Sequence, residues 1–170
     1  MKINLTQNKN FKLFKIISKV AQENNQTVYI VGGYVRDLLM QRKAPTDIDF
    51  VTEQSGIELA KAVGKELGDL KVSVFKTYGT AMIKYQDLDL EFVGARKESY
   101  SENSRKPAVE TGTLEDDQKR RDFTVNALAI SLNSENFGEL IDPFNGRGDM
   151  LNKILRTPLE PAQTYSDDPL

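Results

Sequence analysis

The aspartates of Asp47-Ile48-Asp49 are the residues of this chain best placed to do chemistry. Asp47-Ile48-Asp49-Phe50-Val51 alternates polar and apolar as a half-buried strand does, so both carboxylates face one side while Ile48 and Phe50 face a core. Carboxylates roughly 6–7 Å apart along a strand can share hard cations. Mg²⁺ takes one or two carboxylates together with phosphate oxygens. Two such ions about 3.5–4 Å apart can clamp the attacking and leaving oxygens of an in-line displacement at phosphorus. Carboxylates of that kind need a phosphate cradle, and a candidate lies just upstream. Val28-Tyr29-Ile30-Val31 reads as a buried strand, Gly32-Gly33 as a turn that lets backbone approach a ligand, and Tyr34 to Met40 as a short helix. A helix that opens on glycines presents free N–H groups and the positive end of its dipole, which suits phosphate. Arg36 in the first turn adds charge. Gly33 and Arg36 for phosphate, Gly32 to shape the turn, and Asp47 and Asp49 for metal together read as nucleotidyl transfer.

Each piece has a plainer reading. Gly-Gly after a strand is usually just a turn, Asp-x-Asp opening a strand is often a solvated face or an Asx-turn, and a lone Arg36 is a surface or salt-bridge residue. The joint pattern is more specific: two glycines, Arg36 three residues after Gly33, a breaker at Ala44-Pro45-Thr46, then Asp-apolar-Asp-apolar. Two further stretches carry candidate groups. Leu88 to Val93 reads as a strand with Leu88, Leu90 and Phe92 on one face and Asp89 and Glu91 on the other, and it is expected beside the strand of Asp47 and Asp49. Arg120-Arg121-Asp122, with Asn126 close behind, offers donors for a triphosphate and partners for ribose hydroxyls; the alternative is a helix end with cations near its negative pole.

GGYVRD followed by DIDF resembles the head domain of the polymerase-β-like nucleotidyltransferases, most of all the bacterial class II CCA-adding tRNA nucleotidyltransferases and the related poly(A) polymerases. Arg120 to Ile130 (RRDFTVNALAI) is similar to that family's second signature. Leu140 to Met150 (LIDPFNGRGDM) and the final SDDPL match in order, so the resemblance runs from about Val28 to the last residue. It implies that Glu91 is the third carboxylate beside Asp47 and Asp49, aligned with Arg96 downstream. It further implies that Arg121 contacts the nucleotide and that Asp122 and Asn126 hold the sugar or the geometry of the site. The implied reaction is attack of a tRNA 3′-hydroxyl on the α-phosphate of CTP or ATP with Mg²⁺ as cofactor. A poly(A) polymerase, a CC-adding or A-adding enzyme, or a non-catalytic nucleotide- or RNA-binding domain shares the same motifs. Transfer to a small molecule such as an antibiotic ranks low, because RRDFTVNA does not belong to that group.

Composition limits the chemistry. The 170 residues contain no Cys and no His, which excludes disulfides, thiolate catalysis, imidazole bases and His or Cys metal ligands within this chain. Of these residues 39% are hydrophobic and 28% charged, as in ordinary globular proteins. A net charge of −2 argues against a strongly basic nucleic-acid module, but not against a site that meets only the end of an RNA. Met1 to Gln22 has no apolar signal segment and no run approaches a membrane span, so a cytoplasmic setting without membrane contact is expected.

The remaining elements are positioners. Lys9 to Asn24 is an amphipathic helix with Leu13, Ile16, Ile17, Val20 and Ala21 on one face. Ser55 to Glu58 has the form of a capping box and opens a helix presenting Leu59, Ala60, Val63 and Leu67. Val72 to Phe75 and Thr80 to Tyr85 read as strands, with a hairpin turn at Gln86-Asp87. Gly94 to Gly112 reads as a polar loop carrying Arg96, Lys97, Arg105 and Lys106, either ordering over substrate or mobile at the surface. Thr113 opens a helix running through Arg121, Gly146-Arg147-Gly148 is a turn, and Asp149 to Lys153 is a short helix. The expected fold is α+β: a mixed sheet of about five strands with helices on one side and the site on the open face. Residues 1–170 are expected to form one catalytic head domain leading into the family's helical neck, body and tail, which select the base and grip tRNA.

Overall fold

The computed structural model describes residues 1–43, 45–99, 108–162 and 164. Ala44 of the expected breaker, Arg105 and Lys106 of the expected loop and the whole final SDDPL stretch (with Tyr165 before it) lie outside them, as do the side chains of residues 97–99 and 108–110.

The first helix, α1 (Phe11–Glu23), buries Leu13, Phe14, Ile17, Val20 and Ala21. Phe14 takes the central place that periodicity alone assigned partly to Ile16, which is half-buried at the edge of the core. Strand β1 (Tyr29–Val31) leads through Gly32 into α2 (Gly33–Leu39) and on to β2 (Asp47–Thr52). Helix α3 (Gly56–Glu66) starts where the Ser55 side chain accepts from the Glu58 N–H at 3.2 Å. The reciprocal half of that capping box is missing, since the Glu58 carboxylate pairs with Lys61 instead. Then come β3 (Val72–Phe75), β4 (Thr80–Tyr85) and β5 (Leu88–Gly94), with Gln86 in the left-handed region at the β4–β5 turn.

These strands join β8 (Ala129–Ser131) and β9 (Leu140–Ile141) in one seven-stranded sheet of order β3-β4-β5-β2-β1-β8-β9, larger than the expected five. The β2–β5 pair is parallel and its other neighbours run antiparallel, so the sheet is mixed as expected. One face is the main core. Ile30, Ile48, Phe50, Leu90, Phe92 and Ile130 meet α1 and α3 there, with Phe50 and Phe92 stacked 5.0 Å apart and Phe14 edge-on to Phe50. Strand alternation sends Val31, Val51 and Ala129 to the opposite face, where they form a small second cluster with Ala95 and Leu114. Leu114 belongs to α4 (Leu114–Lys119), which is fastened by a complete capping box between Thr113 and Asp116. The open face thus carries one short helix beside bare strand, and the candidate carboxylates lie on it.

Two segments differ from the sequence reading. The expected polar loop is in part a two-stranded ribbon, β6 (Arg96–Ser99) paired with β7 (Ala108–Thr111). Its residues are mostly polar, so the sequence shows no apolar face from which alternation could be read. Helix α5 (Gly146–Asn152) begins at the glycines read as a turn, because the Asp142 carboxylate accepts from the N–H groups of Gly146 at 2.7 Å and Arg147 at 3.0 Å. Helix α4 also ends at Lys119, short of Arg121. No helix among the described residues is long and apolar enough to cross a membrane.

Candidate active site

The register of β2 against β5 brings the acidic residues together. Asp47 is paired with Asp89, and Asp49 with Glu91. In a parallel pair such partners stand side by side on the same face. Asp47 is exposed, while Asp49 and Glu91 are half-buried. Burial pushes the Asp49 carboxyl above the usual carboxylate range; the Arg121 guanidinium pulls it back, and the charges of Asp47 and Asp117 push it up again. Burial likewise raises Glu91, with the Asp49 charge adding to it. Four carboxylates crowd one strip of sheet; Arg121 acts on Asp49, and Lys84 pairs with Asp89 at 3.3 Å.

Gly32 is where these groups meet. It follows β1 with φ of +71°, a conformation that side chains rarely adopt. A Cβ there would stand 3.0 Å from Arg121 Nη1 and 3.4 Å from Asp49 Oδ2. The absence of a side chain at Gly32 leaves room for arginine and aspartate to approach the same turn. The N–H groups of Val35 and Arg36 both donate to the Gly32 carbonyl, which closes the first turn of α2. At Gly33 the nearest neighbour to an added Cβ is Arg36 Nη2 at 3.5 Å, so the Arg36 guanidinium lies over the glycine turn.

A second group adjoins the first. Arg36 Nη1 donates to Asn126 Oδ1 at 2.8 Å, and Arg36 Nε to Asp37 Oδ1 at 2.9 Å. Asn126 Nδ2 donates to both oxygens of Asp122, at 3.0 and 3.2 Å, and the Phe123 N–H donates to Asp122 at 2.7 Å. Asn126 lies in a short 3₁₀ turn, Thr124–Asn126, whose carbonyl at Asn126 is 3.4 Å from Arg121 Nη1. The residues singled out in the sequence therefore converge: Gly32, Asp49 and Arg121 at the turn, Asp47 and Glu91 beside Asp49, and Gly33, Arg36, Asn126 and Asp122 as a linked chain that touches Arg121 through Asn126.

The chain as a whole is similar to known proteins. Residues 28–156 match the family described as the Poly A polymerase head domain. The chain belongs to that head-domain family. An A-adding tRNA nucleotidyltransferase of Aquifex aeolicus (strain VF5) is 45% identical over 142 residues, covering 84% of this chain and 17% of the relative. A solved CCA-adding enzyme, in its second apo form, superposes with a TM-score of 0.84 at 36% identity, covering 96% of this chain and 38% of that one. A tRNA nucleotidyltransferase solved with a primer tRNA and an incoming ATP analogue gives 0.77 at 40% identity, covering 90% and 41%. The chain spans less than half the length of each of these relatives.

Within this head-domain fold, sequence reasoning missed the residues that hold the site rather than form it. Asp117, on the last turn of α4, is buried and accepts from Arg121 Nε at 3.0 Å and Nη2 at 2.9 Å. Its spacing of four residues before Arg121 was the available signal. Asp37 grips Arg36 from the next position in the chain. Gln118 Nε2 donates to the carbonyls of Ala127 at 2.6 Å and Ile141 at 3.3 Å, tying α4 to the Asn126 turn and to β9. A glutamine in a charged helix gives no such signal.

Proposed function

We propose that the protein is the catalytic head of a template-independent nucleotidyltransferase that adds C and A from CTP and ATP to the 3′ end of tRNA in the cytoplasm. One observation supports this most: Asp49 and Arg121 close on the same glycine turn, so a carboxylate and a guanidinium address a single point. An acidic strip alone would bind a cation and a basic turn alone an anion; side by side they suit a metal-bound triphosphate. The relatives support the substrate class through the activities and complexes in their descriptions.

Asp47 and Asp49 are the groups suited to hold Mg²⁺. Among the described residues no three carboxylates, imidazoles or thiols close on one point, but Mg²⁺ needs only one or two carboxylates when phosphate oxygens complete its shell. Burial is the main cause of the upward shifts at Asp49 and Glu91, and neighbouring carboxylate charge adds to both. When bound, the ion neutralises phosphate charge and favours the ionised form of the attacking hydroxyl. Glu91, beside Asp49, would serve as the third carboxylate supporting the ion that activates the hydroxyl. Arg36 and the Gly33 turn hold the outer phosphates, with Gly32 keeping the approach open. Arg121 faces the charge that develops on the leaving pyrophosphate, where a fixed donor acts without reorganisation. Asp122 and Asn126 bind ribose, with Asp122 fixing the Asn126 amide. Catalysis on this account is positioning and electrostatics.

Incorporation of labelled nucleotide into tRNA lacking its CCA end, by the protein in its full natural length with Mg²⁺, tests the reading. CTP and ATP together should yield three added nucleotides and a stop. A lone A, which the Aquifex relative's description makes the second reading, would reassign specificity within the family. No incorporation of either nucleotide would remove the transferase reading and leave a binding domain.

A further inference from the structure

Asp117 takes no part in the proposed reaction, yet at 1% exposure it is the most enclosed acidic side chain among the described residues. Both of its oxygens are engaged. Oδ2 accepts from Arg121 Nε and Nη2, and Oδ1 accepts from Arg120 Nη2 at 3.2 Å. The helix beneath it is fixed at one end by the Thr113–Asp116 capping box and at the other by Gln118 reaching the Ala127 carbonyl.

This grip decides where Arg121 points. A guanidinium is a rigid plane with five N–H donors. Asp117 occupies one edge of that plane, the edge formed by Nε and Nη2. The Nη1–Nη2 edge is left, and its Nη1 end lies by Gly32 and the Asn126 carbonyl. Nearby stands a competing partner, Asp49, whose Oδ2 borders the same glycine and whose charge interacts with Arg121. An arginine without a second anchor would turn its fork onto Asp49 and form the bidentate pair that carboxylates and guanidinium groups favour. It would then be lost to the phosphates, and Asp49 would be lost to a cation.

We infer that Asp117 is a positioning residue for Arg121: it holds the guanidinium by its Nε–Nη2 edge, so that Nη1 stays presented to the nucleotide phosphates and the arginine does not collapse onto Asp49. The inference rests on the transferase reading, in which Arg121 meets the triphosphate. Asp117 itself touches no substrate.

Equilibrium binding of ATP and of AMP, each with Mg²⁺, to the protein and to its Asp117→Asn variant separates positioning from scaffolding. ATP affinity should fall about tenfold, the size of one charge-assisted hydrogen bond, while AMP affinity stays unchanged. In an Arg121→Gln background the same substitution should add no further loss. Equal falls for ATP and AMP, or an unchanged ATP affinity, would overturn the inference. Failure of the unsubstituted protein to bind ATP would overturn the transferase reading and this inference with it. If circular dichroism shows Asp117→Asn unfolded, Asp117→Glu, which keeps the charge and displaces the carboxylate by one methylene, carries the comparison under the same criteria.

Discussion

Asp49 shows at the scale of one residue how a site opposes the fold that carries it. Its raised pKa means that the folded protein binds this proton more tightly than the unfolded chain does. As pH rises above the ordinary carboxylate value, the charge on the folded-state carboxylate works increasingly against folding. That penalty shrinks as pH falls through the raised folded value and is gone below the ordinary carboxylate value. The attraction of Arg121 is already included, since the net shift is upward. Asp49→Asn should therefore melt at a higher temperature than the unsubstituted protein at pH 7, with the gap closing toward about pH 4; a lower Tm at pH 7 would contradict the assignment. The candidate carboxylates were legible in the sequence because strand alternation puts Asp47 and Asp49 on one face regardless of the rest of the fold. Asp117 and Asp37 were not, because a residue that grips a candidate arginine looks like any acid beside a base until tertiary structure encloses it.

At the scale of elements, the site depends on a short turn that cannot hold itself. The Thr124–Asn126 turn carries the amide that organises Arg36 and Asp122, and α5 holds it from behind. The Thr124 hydroxyl donates to Asp149 Oδ2 at 2.7 Å, both residues being buried. Gly146 lies so near the Thr124 carbonyl that any side chain there would collide with it. Asp149→Ala leaves the Thr124 hydroxyl enclosed without that acceptor, which should cost about 1–3 kcal/mol in urea unfolding and weaken nucleotide binding through Asn126. A stability loss with binding untouched would separate α5 from the site. The helix-bearing core was readable, since α1 and α3 show their apolar faces at helical spacing. The ribbon and the start of α5 were not. The ribbon's sequence is mostly polar and shows no apolar alternation, and α5 is started by the Asp142 carboxylate rather than by its own residues, which are glycines that propensity reads as a turn.

For the whole molecule, the sheet order explains why two distant signatures make one site. The β1 strand sits between β2 and β8, so Gly32 at the end of β1 lies with Asp49 on one side and the segment leading into β8, which carries Arg121 and Asn126, on the other. Neither signature specifies that neighbourhood alone; the resemblance joined them in sequence order and the sheet joins them in space. The central claim is that Asp47 and Asp49 serve chemistry rather than the fold. Its most direct test is nucleotide incorporation into tRNA lacking CCA by Asp47→Ala and Asp49→Ala proteins, each paired with a thermal melt. Turnover should fall by about a thousandfold or more while Tm stays level or rises. Retained turnover, or unfolding caused by either substitution, would contradict the account.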